Sequence, residues 1–143
     1  MSKNRKRLLL LPLALAGAGV AVIGALNPTN FAATHPDHPD ARLRTRRYRC
    51  TLDEARAAVE EVIPQLVTYG RHWRVVRAEA DEVRAAVPVL VFTDDVTVTL
   101  RAADNGVILD ARSASRVGRG DFGENRRHLR QLLTALDARL PAF

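Results

Sequence analysis

The stretch FTDDVTVTLRAADNGVILDARSAS, residues 92–115, decides the fold. In its first part Val96 and Val98 alternate with threonines, which is the pattern of a β-strand with one buried face. Asn105-Gly106 is the strongest short hairpin signal in the chain. The segment that follows, VILDARSAS, is expected to return as the last strand. The stretch therefore predicts an antiparallel hairpin.

Further strands are predicted before this hairpin. HWRVVRAEA has Trp73 as its anchor, and Pro88 in EVRAAVPVLVF favours an edge position or a bulge. LRTRRYRC alternates loosely and is a candidate first strand, carrying Leu43, Tyr48 and Cys50. The strand EVRAAVPVLVF places five apolar residues on one side: Val83, Ala85, Val87, Val89 and Val91.

Two amphipathic helices are predicted around these strands. Thr51 and Glu54 form a capping-box pattern at the start of TLDEARAAVEEVIPQLV, and Pro64 ends or kinks that helix. Its apolar face consists of Leu52, Ala55, Val59, Val62, Ile63 and Leu66. The closing helix is predicted to start at Asp121, which can cap it. Its apolar stripe consists of Phe122, Leu129, Leu132, Leu133, Leu136 and Leu140.

Strands bracketed by helices, with hairpin-length connections, predict an α+β fold. We expect an antiparallel sheet of about four to five strands, with an N-terminal and a C-terminal helix packed on one face. This domain is predicted to span residues 42–143.

The N-terminal segment is predicted to target the chain to a membrane. Residues 8–26 hold no charge over 19 residues, close to the ~20 that a spanning helix needs. Residues 1–7 form a basic segment that is expected to stay cytoplasmic, which places the domain outside the membrane. The length favours an uncleaved signal anchor in the cell membrane; the alternative is a secreted or periplasmic domain after signal cleavage.

Residues 27–41, NPTNFAATHPDHPDA, are predicted to be a linker because three prolines prevent regular structure. The tract HPDHPD holds His35 and His38 beside two aspartates. Its prolines prevent a helix that would place both histidines on one face as ligands, so no metal site is predicted.

Charge and cysteine content narrow the function classes. Of 22 Lys and Arg, four lie in residues 1–7, and the remainder carries 18 against 16 Asp and Glu. The formal charge of +6 thus reflects the N-terminus, and no nucleic-acid partner is expected. Cys50 is the only cysteine, which excludes an intramolecular disulfide and a thiolate metal cluster. No cofactor is predicted.

The stretch DARSASRVGRGDFGENRRHLRQLL, residues 110–133, contains most of the candidate functional residues. Its surplus of arginines beside glycines and a helix start can bind a phosphate, a carboxylate or a partner's acidic group. The candidates for this anion or partner site are Arg112, Arg116, Arg119 and Arg126. The alternative is a solvated arginine face with one or two arginines paired to Asp94, Asp95 or Asp110.

No catalytic residue is predicted. Ser113 or Ser115 would need a positioned base and an oxyanion hole to act as a nucleophile, and no GxSxG elbow is present. His128 is expected to point away from the leucine stripe. Asp94 and Asp95 could pair as acid and base or hold a cation, but a turn or an arginine contact is favoured.

Asn125 is predicted to be buried because it shares one helical face with Leu129. A buried amide must be hydrogen bonded, so we expect Asn125 to tie the arginine–serine segment to the closing helix. The predicted structural latch comprises Asp94, Asp95, Ser113, Ser115, Asp121 and Asn125.

Two motifs in these segments match a known family. Phe92, Asp94 and Asp95 fit a Phe-x-Asp-Asp strand start, and a second signature is matched by Arg112, Ser113, Ser115, Arg116, Gly118, Asp121, Gly123, Asn125 and Leu129. Over roughly residues 45–140 the chain resembles the bacterial domain of unknown function 1499 family. The chain departs from the family pattern at two places. The final arginine of the signature falls on His128 or on its neighbour Arg127, and RYRCTLD stands where the family has a Pro-Asn-Cys-Val element. Many members carry an N-terminal membrane segment or signal, and membership implies no activity.

These observations favour a bitopic envelope protein whose outer domain is a binding or interaction module, because no catalytic constellation assembles. Its expected partners are the cytoplasmic membrane, through residues 8–26, and an envelope protein or an anionic or lipid ligand. The alternative is a small helix-grip-like carrier of a hydrophobic or lipid ligand, which rests on fold analogy. A hydrolase using Asp94 and Asp95 is the third hypothesis.

Overall fold

The structure is a computed structural model, and it describes residues 30–117 and 123–143. The predicted basic segment 1–7 and the predicted membrane segment 8–26 lie outside these residues, as do Arg119 and Asp121. Within the described ranges, no helix is both long and apolar enough to cross a membrane.

In the described part of the chain, the strands are β1 (Phe31–Ala33), β2 (Arg46–Tyr48), β3 (Val67–Thr68), β4 (Arg71–His72), β5 (Arg74–Ala78), β6 (Glu82–Val89), β7 (Phe92–Ala103) and β8 (Gly106–Ser115). Six of them form one antiparallel sheet, in which β8, β7, β6 and β5 follow one another. The short strands β1 and β2 share the edge beside β8, where each pairs with a different half of β8. A separate ribbon is formed by β3 and β4.

Part of the segment predicted as a linker lies in the sheet. Residues 31–33 form β1, whose Phe31 pairs with Ala114 of β8. After β1 the chain turns through a 3₁₀ segment, Ala41–Leu43, before β2 begins. Prolines restrict only their own neighbourhood, so the three residues between them were free to pair with an exposed sheet edge.

The predicted β7–β8 hairpin is confirmed, with its turn one residue earlier than the Asn-Gly signal indicates. Ala103 pairs with Gly106, so Asp104 and Asn105 make the turn, and Asn105 adopts a left-handed φ of 64°. Gly106 instead opens β8 at a close backbone approach, because a Cβ there would lie 2.2 Å from the carbonyl oxygen of Tyr48.

The strand β6 ends three residues before the predicted end. Val91, expected on the buried side, is 87% exposed in the turn to β7, and Leu90 adopts a φ of 52°. Pro88 is tolerated in this interior strand because β5 pairs with β6 only as far as Ala86. The missing N–H of Pro88 therefore faces no ladder partner.

Two α-helices cover one face of the sheet: α1 (Leu52–Val62) and α2 (Glu124–Asp137). The predicted capping box is confirmed, since Thr51 Oγ1 accepts from Glu54 N at 3.2 Å and Glu54 Oε2 accepts from Thr51 N at 2.7 Å. Pro64 ends α1 as predicted, within a 3₁₀ turn. The start of α2 differs from the prediction: Gly123, with φ 80°, occupies the N-cap position.

The core lies between the helices and the inner face of the sheet. Its buried residues include the predicted leucine stripe and the inward residues of β6, β7 and β8. Leu129, Leu132, Leu133 and Leu136 are each 0% exposed. Burying one such side chain stabilises the fold by about 1.5–3 kcal/mol relative to leaving it in water. The predicted α+β fold, with an antiparallel sheet and two helices, is confirmed.

Candidate functional site

Polar residues interrupt the apolar inner face of the sheet at one end. Side chains alternate between faces along a strand, so Asp94 points inward with Val96, and Ser113 points inward with Ala111. Asp94 is 3% exposed and Ser113 is 0% exposed. The first turns of α2 lie over these two residues, which creates a buried polar cluster at the helix start.

Asn125 connects three parts of the chain in this cluster. Its Oδ1 accepts a hydrogen bond from Ser113 Oγ at 2.7 Å. Its Nδ2 donates to Ser115 Oγ at 3.0 Å and to the carbonyl oxygen of Asn30 at 2.9 Å. We call Asn125, Ser113, Ser115 and the Asn30 carbonyl the latch network. It joins the end of β8, the entry of β1 and the start of α2.

The latch network agrees with the predicted contact between Asn125 and the serines. Asn125 is 0% exposed, as its helical spacing predicts. The contact to Asn30 was not predictable, because 95 residues separate the two partners. Of the other predicted latch residues, Asp94 lies beside the network, Asp95 lies on the opposite face, and Asp121 is outside the described residues.

The expectation that His128 points away from the core is wrong. His128 is 1% exposed, and its ring lies edge-on to Trp73 with centroids 5.6 Å apart. Its Nδ1 lies 3.3 Å from Ser113 Oγ and 3.5 Å from Asp94 Oδ2. The signal was available in the sequence, because His128 follows Asn125 by three residues and shares its inner face.

A serine, a histidine and an acid thus meet, but their hydrogen bonds oppose catalysis. The carbonyl of Asn30 can only accept, which fixes the Asn125 amide with Nδ2 toward it and Oδ1 toward Ser113. The Ser113 proton is therefore directed to Asn125, away from His128. A histidine that acts as general base must accept the hydrogen bond of the serine hydroxyl, and a serine that acts as nucleophile must be accessible to substrate. This geometry provides neither.

Asp94 and Asp95 do not form an acid–base pair. Because neighbouring residues of a strand face opposite sides, Asp94 enters the buried cluster and Asp95 points to solvent. Arg116 binds Asp95 through two hydrogen bonds, with Nε at 2.9 Å and Nη2 at 2.6 Å. The Asp95 carboxylate raises the pKa of Arg116. The two aspartates therefore do not face each other, and the predicted arginine contact is present.

The candidate anion-site arginines are spread over the molecule. Arg112 lies on the open face of the sheet, with its guanidinium 4.9 Å from the centroid of the Phe31 ring. Arg126 is on the exposed side of α2, which covers the other face. Arg116 is bound to Asp95, and Arg119 lies outside the described residues. Among the described residues, these arginines therefore do not converge on one anion site.

An open cleft of about 440 Å³ lies between α2 and the β3–β4 ribbon. Its floor includes His128, and its rim carries Glu124, which accepts hydrogen bonds from Tyr69 and Arg127. The bond to Glu124 raises the pKa of the Tyr69 hydroxyl. Sequence reasoning missed this cleft because Tyr69 and Glu124 are 55 residues apart and no local spacing connects them.

The histidines of HPDHPD serve the local turns. His35 Nδ1 accepts from Asp37 N at 3.2 Å, and His38 Nδ1 accepts from Asp40 N at 3.0 Å. Over residues 30–117 and 123–143, no group of three histidine, cysteine or acidic side chains is placed to hold a metal ion.

Comparison with solved structures finds several distant likenesses. Protein CV1439 from Chromobacterium violaceum is 11% identical, with a TM-score of 0.49, over 76% of this chain and 96% of that chain. CalU16 from Micromonospora echinospora is 13% identical, with a TM-score of 0.46, over 76% and 86%. Ara h 8.0201 is 9% identical, with a TM-score of 0.41, over 76% and 95%. Likenesses this weak carry no argument about function.

Comparison of the sequence gives a firmer result. No curated protein matches the chain. The family described as "Protein of unknown function (DUF1499)" matches residues 25–136, which include β1, the whole sheet, both latch serines and nearly all of α2. The match covers most of the chain, and the chain therefore belongs to the DUF1499 family.

Proposed function

We propose that this chain is a membrane-tethered, extracytoplasmic binding module of the bacterial cell envelope and not an enzyme. The observation that carries the non-enzymatic part is the internal hydrogen bonding of Ser113 and Asn125. Both side chains are 0% exposed, and Ser113 Oγ donates its hydrogen bond to Asn125 Oδ1. Groups that are used to join structural elements in this way stabilise a fold and do not face a substrate.

The tether rests on the sequence of the N-terminal segment. The charge-free run of residues 8–26 follows four basic residues, Lys3, Arg5, Lys6 and Arg7. A run of this length preceded by a basic flank is typical of a single spanning helix with a cytoplasmic N-terminus. On this proposal the folded domain lies outside the cytoplasmic membrane.

The cleft beside α2 is the proposed binding surface of this module. It presents Arg127 and Glu124 as charged groups and Gln131 and Thr68 as neutral polar groups. Arg127, the exposed member of this set, can recognise an acidic side chain of a partner protein. We therefore place the partner contact of the module at this cleft.

A carrier of a hydrophobic ligand is not proposed. Such a carrier needs apolar space between the closing helix and the sheet. Four leucines of α2 that face the sheet are 0% exposed, whereas the walls of a ligand cavity would be accessible to a water-sized probe. Their packing therefore leaves no space along this stretch of α2.

Labelling of Ser113 tests the non-enzymatic proposal. We expect the folded full-length chain in detergent to show no modification of Ser113 by a fluorophosphonate, because the hydroxyl is buried and bonded to Asn125. The measurement is mass spectrometry of the peptide containing Ser113, with the Ser113→Ala variant as the background control. Rapid Ser113-dependent labelling of the folded protein would overturn the proposal.

A further inference from the structure

One end of the sheet carries a cluster of exposed apolar side chains. Leu90 and Val91 form the turn between β6 and β7, and Phe92 is the first residue of β7; their side chains are 63%, 87% and 51% exposed. Val117, which is 63% exposed, follows β8 at the same end, because Ser115 pairs with Asp94. We call these four residues the apolar tip. Contiguous exposed apolar residues mark contact sites for proteins or membranes.

The backbone conformation of the apolar tip indicates that its exposed apolar side chains have a role other than stabilising the turn. Leu90 adopts a φ of 52°, a left-handed conformation that glycine or asparagine adopts at lower cost. A large apolar side chain that is both exposed and in a strained turn stabilises neither the core nor the turn. Backbone outliers of this kind point to a functional contact.

The chain enters the domain at the same end. The Asn30 carbonyl accepts hydrogen bonds from Ser115 N at 2.8 Å and from Asn125 Nδ2. The apolar run ends at Leu26, four residues earlier, and four extended residues reach at most about 14 Å. If that run spans the membrane, the end of the domain that bears the apolar tip lies beside the bilayer surface.

Exposed arginines flank the apolar tip. Arg71, Arg116 and Arg126 lie at this end of the domain, beside the exposed Asp95. The opposite end carries exposed groups of both signs, the acids Glu79, Asp81 and Asp104 and the arginines Arg47, Arg77 and Arg101. Basic residues near a bilayer are attracted to anionic lipid headgroups.

We infer that the apolar tip inserts into the headgroup region of the membrane, with the flanking arginines contacting anionic lipids. This inference rests on the proposed membrane tether. The domain then stands on the bilayer with the turns that hold Glu79, Asp81 and Asp104 pointing away. Leucine and phenylalanine, here Leu90 and Phe92, are typical of the membrane-facing side of segments that lie in the interface.

Site-specific fluorescence tests the inference. An environment-sensitive fluorophore is attached to the full chain through Val91→Cys, in a Cys50→Ala background. The chain is reconstituted into vesicles of phosphatidylcholine and phosphatidylglycerol that contain headgroup spin-labelled lipid. The matched control carries the fluorophore through Asp104→Cys in the hairpin turn, about 36 Å away along β7. Flotation of the vesicles measures membrane attachment separately.

We expect the chain to float with the vesicles and the probe at position 91 to shift to the blue and to be quenched by the spin-labelled lipid. The probe at position 104 should show neither effect. Flotation without quenching at position 91 overturns the inference and leaves the tether standing. A blue shift without lipid quenching also overturns it, because it indicates a contact with protein. Failure to float overturns the tether itself.

Discussion

The Asn125→Ala variant will lower the free energy of unfolding by about 1–3 kcal/mol, the cost of leaving buried polar groups without partners. The Asn30 carbonyl loses its side-chain donor, and Ser113 loses the acceptor of its hydroxyl proton. Chemical denaturation followed by the fluorescence of Trp73, which is buried and the only tryptophan, measures the change. The exposed neighbour supplies the control, since Arg126→Ala should change stability by less than about 0.5 kcal/mol.

The Asn125→Asp variant separates the lost hydrogen bonds from the lost volume. A carboxylate cannot donate to the Asn30 carbonyl, so this isosteric change should also destabilise the domain at neutral pH. Burial raises the pKa of such a carboxyl above its unfolded value, and the protonated form can donate again. Its deficit relative to the wild type should therefore shrink as the pH falls. If both variants are as stable as the wild type at neutral pH, the hydrogen bonds of Asn125 do not stabilise the latch network.

Gly106→Ala is expected to cost about 3 kcal/mol, at the upper end of the range for overpacked interiors. A Cβ at this position would lie 2.2 Å from the Tyr48 carbonyl oxygen and 2.6 Å from the Phe143 ring. The ring can rotate away, but the carbonyl belongs to β2, which is paired with β8, so the edge strand must move. The same denaturation experiment measures the loss.

Gly70→Ala is the matched control for this substitution. Gly70 has a left-handed φ of 73°, but a Cβ there meets nothing within 4 Å. The Gly70→Ala substitution should therefore lower the free energy of unfolding only by the cost of placing alanine in a left-handed conformation, about 1–2 kcal/mol. An equal cost at the two positions would show that β2 yields easily, and the close approach at Gly106 would not be a constraint on the fold.

Much of the fold was predictable because its signals are local. Alternation in DVTVTL predicts β7, the Asn-Gly pair predicts the hairpin, and Thr51 with Glu54 predicts the start of α1. Each of these depends on residues within a few positions of one another. The burial of Asn125 follows from helical spacing in the same way.

The remainder depends on contacts between distant segments. Strand β1 exists because β8 offers an unpaired edge, a fact that no property of FAA itself reveals. Tyr69 reaches Glu124 across 55 residues, and Asn30 reaches Asn125 across 95. The inward position of His128 is different, because its spacing from Asn125 indicated it and its polarity argued against it.

The family signature acquires a physical meaning from these contacts. Ser113, Ser115 and Asn125 join the sheet, the chain entry and the closing helix, and Arg116 holds Asp95 on the outer face. The residues that resemble a catalytic set therefore serve mainly to fix one end of the domain. On our proposal, that end is the one that faces the membrane.

Cysteine labelling in spheroplasts tests the proposed orientation of the domain. A membrane-impermeant maleimide is applied to full-length Asp104→Cys and, separately, to Ser2→Cys, both in the Cys50→Ala background. We expect labelling of the Asp104→Cys variant in intact spheroplasts and of the Ser2→Cys variant only after lysis. If the Asp104→Cys variant is labelled only after lysis, the domain lies inside the cell and the proposed orientation is wrong.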